Sequence, residues 1–206
     1  MDNALTEEGK KLFALLGKFE GFYLAGGTGL ALQIEHRVSV DFDLFSCDAI
    51  PESLLQEVER TFTGHEVKIS VNNSEELTIF VDGVKVTFLR YPFPIYSRYF
   101  ETGGVKLIPP KQIGFTKAYS IGRRGSYKDY VDLYYLLKDG YISLGEVIER
   151  GKKIFGDGFN DRLFLEQLVY MKDIDEIDVK FLKTKVSKKD LETYFEIEVG
   201  RFGKKI

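Results

Sequence analysis

Only one cysteine, Cys47, occurs in the sequence, so no intrachain disulfide framework can form and a reducing compartment suits the chain. That lone thiol reads as a small buried apolar side chain rather than a nucleophile. Apolar runs are short as well. None reaches the ~18 residues that a helix needs to cross a bilayer. Met1-Asp2-Asn3-Ala4 lacks the basic-then-apolar form of a signal peptide, so the expected location is cytoplasmic, with no membrane partner. A net positive charge is also missing. The formal net charge is −3, so any hold on nucleic acid must come from a local basic patch. The 2 methionines and 1 cysteine stand against 30% charged residues, a composition found in heat-adapted proteins. Internal repeats and low-complexity tracts are absent too.

What is present is 206 residues, 44% of them hydrophobic, which allows one domain with a sizeable core or a core with a helical appendage. Leu12, Phe13, Leu15, Leu16 and Phe19 recur at helical spacing, predicting a helix within residues 6–19. Phe22-Tyr23-Leu24-Ala25 reads as a buried strand that Gly26-Gly27 ends. Thr28 is expected to cap a helix running to about His36. Residues 41–45 alternate polar and apolar, as a strand does, and Pro51 opens a helix over about 52–62. Three extended runs follow at 66–71, 77–81 and 84–90, with Asp82-Gly83 as a hairpin turn between the last two. A loop rich in proline and aromatics covers 91–99. Helical patterns then fill about 110–121, 128–138, 144–155, 161–171 and 188–202. The expected fold is therefore α/β (α+β), with a small mixed sheet flanked by helices over residues 1–105. A helical region over 106–206 is expected to pack against it and complete a cleft.

Two local patterns carry chemistry. A strand running into Gly26-Gly27-Thr28 at the start of a helix offers an anion seat, because glycines permit close approach and the helix start presents free N–H groups. An ordinary strand-to-helix turn would look the same. A Walker A loop is excluded because no lysine follows, and a dinucleotide fingerprint because Leu32 stands where its third glycine belongs. Asp41 and Asp43, two apart on a strand, project from one face while Phe42 and Leu44 point to the other. Carboxylates so close repel unless a cation lies between them, and their hard oxygens suit Mg²⁺.

Gly26-Gly27-Thr28, Leu30-Ala31-Leu32 and then His36-Arg37-x-Ser39-x-Asp41-x-Asp43-Leu44-Phe45 together resemble the signature of the AbiEii-type nucleotidyltransferases. That family belongs to the polymerase-β nucleotidyltransferase superfamily and includes toxins of abortive-infection toxin–antitoxin systems. The resemblance implies a polymerase-β-type core. It also implies an NTP whose triphosphate sits on Gly26, Gly27 and Thr28, with Mg²⁺ or Mn²⁺ held by Asp41 and Asp43 as catalytic ligands. The acceptor would be a hydroxyl on RNA or protein, and an antitoxin would be the partner. Arg37 suits either a structural place at a helix end or a phosphate contact. Downstream, Lys117 on one helix, Arg124 near its end and Lys128-Asp129-x-x-Asp132 opening the next resemble the family's second motif. This implies Lys117 as a catalytic lysine and Arg124 and Lys128 as phosphate contacts. Asp129 and Asp132 would support them from behind, Asp129 by orienting Lys128 or an arginine.

One departure stands out. The superfamily's third carboxylate, on a later strand, would fall where this sequence has Thr87. Alternation aims Lys85, Thr87 and Leu89 at the site, yet threonine is no base near neutral pH. Asp82 lies nearby but has a turn to make. The leading expectation is nucleotidyl transfer. The alternative is a catalytically weakened or inactive nucleotide-binding protein, and a metal-dependent phosphohydrolase ranks third.

Overall fold

The computed structural model describes residues 2–204, which divide into two compact units, Met1–Pro109 and Pro110–Ile206. The first unit is built on a seven-stranded mixed sheet. Its strands are β1 (Tyr23–Leu24), β2 (Phe42–Ser46), β3 (Val67–Asn72), β4 (Glu76–Val81), β5 (Val84–Arg90), β6 (Phe100–Thr102) and β7 (Val105–Leu107). They lie in the order β3-β4-β5-β2-β1-β7-β6, so β2 is central. It runs antiparallel to β1 and parallel to β5. Helices α1 (Glu7–Leu16), α2 (Gly26–Ile34) and α3 (Leu54–Thr61) accompany the sheet.

Local chemistry explains the boundaries. Thr6 caps α1 by accepting from the Gly9 N–H. The Asp82-Gly83 turn has φ of 49° and 84°, the left-handed pair that a two-residue hairpin requires. It sets the register Val81↔Val84, hence Thr78↔Thr87. Asp82 accepts from the Glu66 N–H at 2.9 Å and pairs with His65 Nδ1 at 2.6 Å, which holds its carboxyl below the ordinary range at the hairpin tip. The β2 side chains Phe42 and Leu44 are buried on the face opposite Asp43. There Phe19, Phe22 and Phe88 form edge-to-face pairs with ring centres about 5 Å apart.

Three expectations need correction. The helix after the glycines begins at Gly26, not Thr28, because the Ala25 carbonyl already accepts from the Gly29 N–H. Cys47 is exposed rather than buried, since β2 ends at Ser46 and the chain turns away. The sheet also gains a hairpin, β6–β7, turned by Gly103-Gly104 with φ of 56° and 78°. Its strands are too short for alternation to show. Leu107 pairs with Leu24, so β7 continues the sheet past residue 105.

The second unit is all-helical: α4 (Pro110–Arg124), α5 (Tyr127–Lys138), α6 (Leu144–Phe155), α7 (Asp161–Val169) and α8 (Lys188–Gly203). Pro110 takes the first helical position, where its missing N–H costs nothing. Reciprocal capping boxes start α5 (Ser126 with Asp129), α6 (Ser143 with Glu146) and α8 (Ser187 with Asp190). Tyr127, Tyr130, Tyr134 and Tyr135 are all buried in packing. No helix among the described residues is long and apolar enough to cross a membrane.

Candidate active site

The site is assembled around the start of α2. Ala25 holds the N-cap position, and its methyl side chain offers no capping oxygen. In contrast, α1, α6, α7 and α8 are each capped by a Ser, Thr or Asn side chain. The first-turn N–H groups of α2 thus receive no side-chain oxygen from their own N-cap residue. The first turn of α2 also carries no acid of its own.

Antiparallel pairing places Asp43 beside this turn. The Ala25 N–H donates to the Asp43 carbonyl at 2.9 Å. A Cβ on Gly26 would stand 2.3 Å from Asp43 Oδ2 and 3.1 Å from both Asp43 Cβ and Cγ. Gly26 also has φ of 59°, so it satisfies two demands at once, a left-handed backbone and room for a carboxylate. Asp41, one residue before β2, is half-buried like Asp43.

Two expected phosphate contacts turn out to be engaged inside the fold. Thr28 is 1% exposed. Its hydroxyl donates to the Asp41 carbonyl and lies 2.7 Å from the Ser39 hydroxyl. Arg37 is 2% exposed. Its Nη1 donates to the Val38 carbonyl at 3.2 Å and to Ser39 Oγ at 3.4 Å. Ser39, named in the sequence only as part of the motif, ties both residues to the segment that carries Asp41. Thr28 and Arg37 therefore anchor the segment that carries Asp41.

Thr87 is the cross-strand partner of Asp43 in the parallel pairing of β2 and β5. Threonine, not a carboxylate, occupies that place. Among the described residues no group of three or more His, Cys, Asp or Glu is close enough to hold a metal ion. The candidate donors here are the two carboxylates, Asp41 and Asp43. Such hard oxygens fit Mg²⁺ when substrate phosphates complete the shell.

In the helical unit, Lys117 Nζ sits 2.8 Å from Asp129 Oδ1 and 2.7 Å from Asp132 Oδ2. Asp132 is fully buried and the lysine side chain is 10% exposed. Burial pushes the Asp129 carboxyl up, but the charge and hydrogen bond of Lys117 outweigh it, and the group titrates below its ordinary value. Asp129 thus pairs with Lys117 rather than with Lys128 or an arginine. Arg124 is exposed and Lys128 half-buried.

A statistical model of the family described as nucleotidyl transferase AbiEii toxin, type IV toxin–antitoxin system, matches residues 10–202. The chain belongs to this family. An uncharacterized protein of Aquifex aeolicus (strain VF5) is 30% identical over 195 residues, covering 92% of this chain and 88% of that protein. Among solved structures, a putative nucleotidyltransferase from H. pylori superposes with a TM-score of 0.59 at 15% identity, covering 98% of this chain and 99% of the other. JHP933 from Helicobacter pylori gives 0.56 at 15% identity, covering 98% and 96%. At such identities the two structures show a shared fold and nothing finer. The mixed sheet with the carboxylate strand at its centre is accordingly the frame of an AbiEii-family nucleotidyltransferase.

Proposed function

We propose that this AbiEii-family chain transfers a nucleotidyl group from an NTP to a hydroxyl acceptor on RNA or protein. One observation carries the reading. The Asp43 carboxylate abuts Gly26 at the start of α2, where the N-cap residue Ala25 offers no side-chain oxygen, so an acid and a helix N-terminus share one corner. Gly26 and Gly27 seat phosphate oxygens on backbone N–H groups. Asp41 and Asp43 are the residues that would hold Mg²⁺ or Mn²⁺, which when bound supplies charge neutralisation at the phosphates. Thr28, Ser39 and Arg37 keep the Asp41 segment in place. In the helical unit, Lys117 braces α4 against α5 through Asp129 and Asp132, which fixes the segment that bears Arg124 and Lys128. We assign those two cations to phosphate contacts. By family membership the partner is an antitoxin, and the test of that role is growth arrest on expression, relieved by a co-expressed neighbouring gene product.

The direct test incubates the protein with labelled NTPs, Mg²⁺ or Mn²⁺, and total RNA or lysate. Label should pass to a macromolecule, and Asp41→Ala or Asp43→Ala should abolish the transfer. Unchanged transfer in either variant refutes the assignment. A second reading is favoured by Thr87 in the Asp43 register: a protein that binds nucleotide without turnover. It predicts NTP-dependent thermal stabilisation, ~2.7 kcal/mol at a hundredfold excess over Kd, with no label transferred.

A further inference from the structure

On the Asp43 face, a line of oxygens runs outward from β2. Asp43 pairs with Thr87, and Thr87 with Thr78 on β4. Glu76 stands two residues before Thr78, on the same face of the sheet. The Thr78 hydroxyl donates to Glu76 Oε1 at 2.6 Å and lies 3.3 Å from Thr87 Oγ. Thr78 and Thr87 are buried, while Glu76 is half-buried and so reaches solvent.

The direction of this chain follows from proton count. An ionised carboxylate only accepts, and a threonine hydroxyl carries one proton. The Thr78 proton belongs to the short bond with Glu76. The proton in the Thr78–Thr87 bond must then come from Thr87. With its own proton directed to Thr78, Thr87 Oγ has only lone pairs left for a group arriving from the Asp43 side.

We propose that Glu76, acting through Thr78, is a positioning residue that makes Thr87 the proton acceptor where a third carboxylate is missing. The proposal rests on the nucleotidyl-transfer reading. In the step, the O–H bond of the attacking hydroxyl breaks and its proton goes to Thr87 Oγ. The Thr87 proton moves to Thr78 Oγ, and the Thr78 proton to Glu76 Oε1. Each threonine ends with one proton and Glu76 ends neutral. The oxygen freed of its proton bonds to the α-phosphorus as pyrophosphate leaves with the bonding pair. Concerted movement spares threonine from acting as a free base, and Glu76 later returns its proton to water.

The test is a cycle in the full chain: wild type, Glu76→Gln, Thr87→Asp, and both together, assayed for label transfer across pH. Glu76→Gln should cut transfer ~10- to 10²-fold, below or at the low end of direct general-base effects, and flatten the acid limb of the pH profile. In the Thr87→Asp background, where the acid is direct, Glu76→Gln should cost almost nothing. The second readout is independent of turnover. NMR of the Thr78 and Thr87 hydroxyl protons should show the Thr87 proton directed at Thr78 in wild type and redistributed in Glu76→Gln. An equal loss in both backgrounds, or a Thr87 proton directed elsewhere, overturns the relay while leaving nucleotidyl transfer standing. Absence of transfer in wild type removes the functional reading itself, and the relay falls with it.

Discussion

Gly26→Ala separates backbone strain from the carboxylate contact that underlies the site. An alanine at φ of 59° incurs the left-handed penalty, about 1–2 kcal/mol. Its Cβ would also stand 2.3 Å from Asp43 Oδ2, so the carboxylate must move by roughly 1 Å to reach ordinary contact. Rotation of the Asp43 side chain relieves part of this, but its Cβ at 3.1 Å leaves the strand involved. The steric cost should be about 1–3 kcal/mol. Gly21→Ala provides the control, because Gly21 has φ of 85° with nothing within 4 Å of the added Cβ. Urea unfolding should show Gly21→Ala losing about 1–2 kcal/mol and Gly26→Ala at least ~1 kcal/mol more. The effect on transfer should be larger still, on the order of 10²-fold, since a misplacement of ~1 Å at reacting groups costs about that much. Gly21→Ala should leave transfer intact. Equal stability losses in the two variants, or full transfer by Gly26→Ala, would show that Asp43 does not sit against the bend.

Lys117→Met should destabilise the helical unit by about 3–5 kcal/mol, because two largely buried carboxylates lose their cation. A urea midpoint that hardly moves would contradict the brace. The pH dependence has a definite sign. The folded-state pKa of Asp129 is lowered, so its contribution is complete above the unfolded value of ~3.9 and is lost as pH falls through the folded value. The stability gap between wild type and Asp129→Asn should be flat above about pH 5 and shrink at lower pH, and a gap that widens on acidification refutes the pairing. Tyr23→Phe should be neutral or stabilising by about 1 kcal/mol, since the Tyr23 hydroxyl is buried without a hydrogen-bond partner among the described residues. Burial also pushes that phenol above its ordinary pKa. A marked loss of stability would reveal a partner for the hydroxyl.

Local interactions were legible in the chain itself. Helical spacing, the Ser-x-x-acid boxes and the Asp82-Gly83 turn act within three or four residues, so their patterns survive in one dimension. Alternation put Thr87 in phase with Asp43, as the pairing shows, and the motif around the glycines pointed to the family. The relay of Glu76, Thr78 and Thr87 was within reach too, because a two-residue turn sets the register by counting.

Tertiary structure decided which distant segments meet. Asp43 lies against Gly26 because β1 and β2 run antiparallel with Ala25 opposite Asp43. Asp43 meets Thr87 because β5 inserts beside β2 in parallel, 44 positions along the chain. Strand order of this kind depends on which faces must be buried together, and no local propensity encodes it. The same dependence engaged Thr28 and Arg37 inside the fold, closed Lys117 between two acids, and left Cys47 at the surface. Residue identity proposed the chemistry, and long-range packing decided which of those side chains are engaged inside the fold and which stay at its surface.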